Sequence, residues 1–157
     1  MLTTQFDFDN VSGIAHIYAI PAEDVLAITV NPLTGLYRLA LKKADGVIVI
    51  PTHAKEATSF EEPQEDDDGT PQYNVSISVF FPRFVNPLIE QTLERGSWLV
   101  AHQDANGDIL LSGTTDIPLL FRSHRQTAAG APSGNQGEFY ATEPICSYHL
   151  DNRAFYL

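Results

Sequence analysis

The sequence predicts an all-β domain, a single β-barrel or sandwich carrying one short α-helix and two long loops. Three observations point there. Short apolar runs recur along the chain and are split by Gly, Pro, Asn and Asp. Those runs are enriched in β-branched and aromatic residues, as strands are. Residues 73–81 alternate strictly, with Tyr73, Val75, Ile77, Val79 and Phe81 on one face and Asn74, Ser76 and Ser78 on the other. The chain has 157 residues, 43% hydrophobic and 18% charged. That suits one domain with one core, so residues 1–157 are read as a single β domain.

The first strand is expected at residues 14–20, with Ile14, His16, Tyr18 and Ile20 facing one way and Ala15, Ile17 and Ala19 the other. Residues 25–30 follow. Asn31-Pro-Leu-Thr-Gly35 has the chemistry of a turn. Residues 36–42 and 47–50 read as a hairpin about Ala44-Asp45-Gly46. In its first arm Tyr37, Leu39 and Leu41 oppose Arg38 and Lys42, as in a sheet with one wet face.

Residues 52–72 hold Glu56, Glu61, Glu62, Glu65, Asp66, Asp67 and Asp68 among Pro63, Pro71 and Gly69. Like charges this dense repel, so the segment reads as a mobile acidic loop. After the 73–81 strand, a helix is expected at 87–95. Asn86 suits its cap, Pro87 its first turn and Gly96 its end. Leu88, Ile89, Thr92 and Leu93 would form its apolar stripe.

Residues 98–112 form a second predicted hairpin about Asp104-Ala-Asn-Gly107, where Asn-Gly favours a tight primed turn. Residues 117–121 add an apolar run. Residues 123–137 are small and polar and read as a flexible arm. Residues 138–148 return to strand-like sequence, with Cys146 inside it as inert packing.

Charge narrows function. Nine basic against twenty acidic residues give −11. That balance argues against specific nucleic-acid binding and against docking on an anionic membrane. One cysteine excludes an internal disulfide and a Cys-rich zinc site. No apolar run approaches the ~18–20 residues of a membrane span, and no secretory signal is visible.

Catalytic signatures are equally sparse. The acidic stretch and Asp104, Asn106 and Asp108 lack the ligand spacing of a calcium loop. His16, His53, His102, His124 and His149 show no helical metal spacing, although His16 and His102 sit on strands that can meet. No nucleophile elbow or phosphate-cradling loop occurs. The expectation is no catalytic residue, no metal and no cofactor. A β-domain with long arms and an acidic surface suits assembly through edge strands and arms that order on a neighbour.

One order of features resembles a known family. A strand ends at Ile20-Pro21, an acidic segment follows, and a period-two strand runs into Phe81-Pro82. Then come the helix, Trp98-Leu-Val with Asp104-Ala-Asn-Gly107, Leu111-Ser-Gly113, Ile117-Pro-Leu119 and Gly137-Glu-Phe-Tyr. Over residues 73–143 this resembles small structural proteins encoded among the neck and tail genes of tailed phages and prophages of Bacteroidetes-type bacteria. The resemblance implies a virion protein that forms a ring or tube with copies of itself and adjoining virion proteins, assembled in the bacterial cytoplasm. DNA would pass an acidic lumen without binding to it. The expected interface residues are Glu61, Glu62, Glu65, Asp66, Asp67 and Asp68 in the acidic loop. Trp98, Asn106 and Gly107 in the hairpin, and Ala129, Gly130 and Gly134 in the arm, complete the set. Two other readings remain open: a carbohydrate- or protein-binding module using Trp98, Tyr18, Tyr37, Tyr73, Tyr140 and Tyr148 as a platform, and a small hydrolase.

Overall fold

A computed structural model describes residues 14–43, 45–50, 59–67, 69–82, 87–104, 107–126 and 134–151. The described chain runs β1 (Ile14–Pro21), a 3-10 turn (Ala22–Asp24), β2 (Val25–Val30), β3 (Tyr37–Leu41) and β4 (Ile48–Ile50). β5 (Ser59–Glu61), β6 (Gln64–Asp67), β7 (Thr70–Pro82) and α1 (Pro87–Arg95) follow. It closes with β8 (Trp98–Asp104), β9 (Ile109–Ser112), β10 (Leu120–Gln126), β11 (Gly134–Glu143) and β12 (Tyr148–Leu150). This is the expected all-β sandwich, with one short α-helix among the described residues.

The larger sheet has the order β2-β3-β12-β9-β8-β1-β4, and the smaller β10-β11-β7-β5 with β6 also on β7. β1 and β2 stand five places apart in the large sheet, about 24 Å if it were flat. Only Ala22–Asp24 joins them. Four Cα steps span at most about 14 Å, so the sheet must curl to bring β2 back towards the end of β1.

The curl creates two cores. Ile17, Ala19, Val100 and Trp98 face the small sheet, where Val75, Ile77, Val79 and Phe139 meet them. Ile20, Leu99, Ala101, Ile109 and Leu111 face the inside of the curl with Val25 and Leu150. β8 is therefore buried on both faces along most of its length, which explains its unbroken apolar run. Each Val, Leu, Ile or Phe in these cores contributes roughly 1.5–3 kcal/mol on burial.

The alternation read for residues 73–79 holds, with Val75, Ile77 and Val79 buried. So does the turn after β2: the Leu33 amide donates to Asn31 Oδ1 at 3.0 Å, and Gly35 takes φ +73°. The 98–112 hairpin forms as read, with the Gly107 N–H donating to the Asp104 carbonyl. On β1 the register shifts between Ile14 and His16. This bulge turns Ile14 into the core of Ile17 and Ala19 instead of the face of Tyr18 and Ile20.

Other expectations need correction. Residues 36–42 and 47–50 do not pair with each other. β3 lies between β2 and β12, while β4 pairs with β1, where Ile50 is buried. The tight turn at 31–35 wins β3 for β2. The helix spans its expected residues, but Leu88 and Thr92 are exposed and the buried positions are Glu90 and Leu93. Leu93 and Ile89 pack on the first core, and Trp98 Nε1 donates to the Leu93 carbonyl at 2.9 Å.

The acidic loop is strand wherever it is described, apart from short connections. β5 and β6 both pair with β7, and Gly69 turns the chain at φ +81°. The described side chains of Gln64, Glu65 and Asp66 stand in water. Their charges keep hydration and ionic screening, and only backbone groups engage β7. The small-residue arm is likewise largely ladder: 123–126 pair with 134–137, and β11 begins at Gly134 rather than 138. Residues 52–58, 68 and 127–133 lie outside the described residues. The 138–148 strand breaks after Glu143, because Pro144 has no N–H to offer a ladder.

Gly137 shows why small residues occupy this part of β11. A Cβ there would overlap the Phe121 ring and sit 3.2 Å from Val79 Cγ2. Gly137→Ala is expected to destabilise the chain by about 1–3 kcal/mol through overpacking. Urea denaturation with an unchanged m-value would check this.

Candidate functional site

A groove of about 220 Å³ opens where the loops after β9 and β11 meet. Leu111, Ile117, Pro144, Ile145 and Tyr148 give it apolar walls, and Asp116, Glu143, Cys146 and Ser147 supply polar groups. Gly113 leaves β9 at φ +91°, with Trp98 O and Leu119 close to where a Cβ would lie, so only glycine fits easily. Thr114 and Ile117 close the following turn through Thr114 N–H to Ile117 O at 3.1 Å and Ile117 N–H to Thr114 Oγ1 at 3.0 Å.

Opposite this turn, Glu62 accepts from the Ser147 amide at 3.1 and 3.0 Å and from the Ser147 hydroxyl. Ser147 Oγ lies 2.8 Å from Ser112 Oγ. Glu62 thus ties the β5–β6 connection to the segment before β12.

Glu143 sits at the base. It ends β11 in phase with Phe139 and Ala141, so the period of two carries its carboxylate inward, where it is 4% exposed. Among the described residues Oε1 has no hydrogen-bond partner. Burial pushes its pKa up and the Glu62 carboxylate adds to that. The Gly113 N–H pulls the other way, leaving it at about 7. Burial, then Tyr37, Glu143 and Cys146, also raise the Tyr148 phenol. Tyr148 stacks on Tyr37 at 4.2 Å.

A second buried ionisable group stands apart. His102 on β8 faces the small sheet, with its ring 4.3 Å from Phe60 and Nδ1 unpartnered. Burial lowers its pKa to about 4, against a smaller opposing effect of Asp104. His16 does not oppose it: His102 pairs with Ile17, and His16 is exposed. His102 is a neutral core side chain, and the sequence offered only its in-phase position on β8 as a sign.

The sequence-predicted interface residues scatter. Glu61, Glu62, Glu65 and Asp66 lie along the β5–β6 edge, and the backbone of Asp67 joins them. Trp98 is 3% exposed and its N–H is spent on Leu93, so it is a core anchor rather than a contact surface. This also removes it from any aromatic platform, and Tyr140 sits on the outer face of the small sheet beneath Arg122 at 4.5 Å. Gly107 is in the β8–β9 turn at φ +95°. Gly134 pairs with Gln126 and Pro82. Asp68, Asn106, Ala129 and Gly130 lie outside the described residues.

Sequence reasoning missed Glu143, Ser147 and the groove; the inward phase of Glu143 was the available signal. Cys146, expected inside a strand, is exposed at the groove. Among the described residues no three His, Cys, Asp or Glu side chains converge as metal ligands.

Two measurements follow. Iodoacetamide should add one adduct to the folded chain at Cys146, at a rate close to that of the unfolded chain. Mass spectrometry would check it, and protection until unfolding would contradict the exposed placement. The pH dependence of stability is the second. His102 binds fewer protons folded than unfolded between about pH 4 and 6.5, so its contribution is lost as pH falls through that window. Glu143 binds more protons folded between about 4.5 and 7, so its contribution is lost as pH rises. The two slopes oppose each other from 4.5 to 6.5. Glu143→Gln should leave stability rising with pH there, by at most about 1.4 kcal/mol per unit, and His102→Leu should leave it falling. Urea midpoints across that range read both.

No protein-family model, curated protein or solved structure matches the chain.

Proposed function

We propose that this chain is a structural subunit of a tailed-phage virion, a ring or tube component of the neck or tail that works by assembly rather than turnover. The observation that supports it best is the pair of open edges on the curled sheet. Among the described residues β2 and β4 each have one ladder partner and no strand on the other side. Both carry solvent-facing apolar side chains, Leu26 at 64% exposure on β2 and Val49 at 59% on β4. Free edges of this kind accept a strand from a neighbour. A head-to-tail contact between two different edges closes into a ring when its rotation closes. The net charge of −11 adds to the reading, since a ring of such subunits repels phosphate from its bore. The resemblance over residues 73–143 points the same way.

Light scattering with electron microscopy tests this. Ordered rings or tubes are expected to form as concentration rises. Val49→Lys and Leu26→Lys, both at exposed positions, should return the chain to monomer without loss of thermal stability. A wild-type chain that stays monomeric at every accessible concentration would overturn the reading.

A further inference from the structure

The groove beside Glu143 has a chemistry that the assembly reading does not use. Glu143, which lines it, holds Oε1 buried and without a partner among the described residues. An ionised oxygen in that position is costly unless a cation or donor meets it. Among the described residues no lysine or arginine lines the groove, while Asp116 does and Glu62 acts on Glu143 from nearby. The walls beside this oxygen are apolar: Leu111, Ile117 and Ile145.

Those features select among cations. A hard metal ion takes six or more oxygen ligands, and the described residues offer no such cluster. A guanidinium prefers two parallel carboxylate oxygens. Here the carboxylate already takes the Gly113 N–H, and among the described residues Oε1 is left buried without a partner. An ammonium is a compact charge that can satisfy a single unpartnered oxygen once side chains at the groove shift to admit it, and its methylene stem can lie on apolar walls. The groove, at about 220 Å³, is smaller than the ~300–1,000 Å³ of drug-sized sites, so it suits one side chain.

We propose that this groove is a receptor for a primary ammonium on an unbranched aliphatic stem, as in a lysine side chain, with Glu143 as its anion. The site stands independently of ring assembly, which can fail while the groove still binds. Cation entry displaces the proton that Glu143 carries at low pH. Binding therefore weakens as the medium is acidified, with Glu62, Asp116, Cys146 and Tyr148 as the other titratable groups facing the site.

The test uses the whole chain labelled with ¹⁵N, titrated with n-butylammonium chloride and with the peptide acetyl-Gly-Lys-Gly-amide. Saturable, millimolar-range shifts are expected at the Gly113, Ser147 and Tyr148 amides at pH 8, weaker by roughly tenfold or more at pH 5.5. Glu143→Gln keeps the shape and should weaken binding at pH 8 by roughly tenfold or more. Ile145→Lys, at a rim position 54% exposed, should do the same by placing a like charge at the mouth. Binding of both probes, or of the peptide alone, supports the site and separates a free amine from a lysine in a chain. Equal shifts with tetramethylammonium or sodium, no shift with either probe, or undiminished binding by Glu143→Gln would overturn it.

Discussion

Both faces of β8 are dry from Trp98 to His102, and the rest of the molecule is arranged to keep them so. Successive residues of β8 enter opposite cores, Val100 towards the small sheet and Leu99 and Ala101 into the curl. Neither face can be released to water without losing a full layer of apolar contacts. The small sheet and α1 cover one face. The curl of the large sheet, forced by the short Ala22–Asp24 link, covers the other. Trp98 joins these coverings: its ring is in the first core, its N–H holds the end of α1, and its backbone exchanges bonds with Leu119 at 2.9 and 2.8 Å.

The outer face of the small sheet follows different physics. Ser76 and Arg122 both donate to Glu138, at 2.7 and 2.8 Å, and Thr142 donates to Asn74 at 2.9 Å. Partial burial works against the charge on Glu138, yet the Ser76 hydroxyl and the Arg122 guanidinium hold its pKa below the ordinary value. The contrast with Glu143 on the same strand is instructive. One carboxylate faces donors and stays ionised, while the other faces apolar walls and resists ionisation. Five residues of period-two backbone separate these outcomes.

Legibility in the sequence tracked how local the deciding interaction was. The helix at 87–95 and the turn at Gly107 are set by their own residues, and both stand where the sequence puts them. The alternation of Val75, Ile77 and Val79 reports one buried face directly. Pairing between distant segments was not legible. Nothing in residues 47–50 says that Ile50 belongs on β1 rather than beside β3. The charges of Glu65 and Asp66 concealed β6, because repulsion among side chains says little about an edge strand whose backbone has a partner and whose side chains remain in water. Of the candidate groove, Glu143 could be placed inward by phase. Its meeting with Glu62 and Ser147 depends on contacts 85 residues apart between Glu62 and Ser147, which no local pattern encodes.

β12 has one more consequence. Its three residues, Tyr148–Leu150, are the seam between β3 and β9, joining the two halves of the large sheet. β1 likewise finds β8 more than seventy residues later. During synthesis, then, β2 can meet β3 and β1 can meet β4 early, but β1 must wait for β8 and β3 for β12, and the last strand must arrive before the sheet is continuous. Such distant pairings are slow to form and leave sticky intermediates. The strand edges that await these partners are open to wrong association until residue 150 emerges.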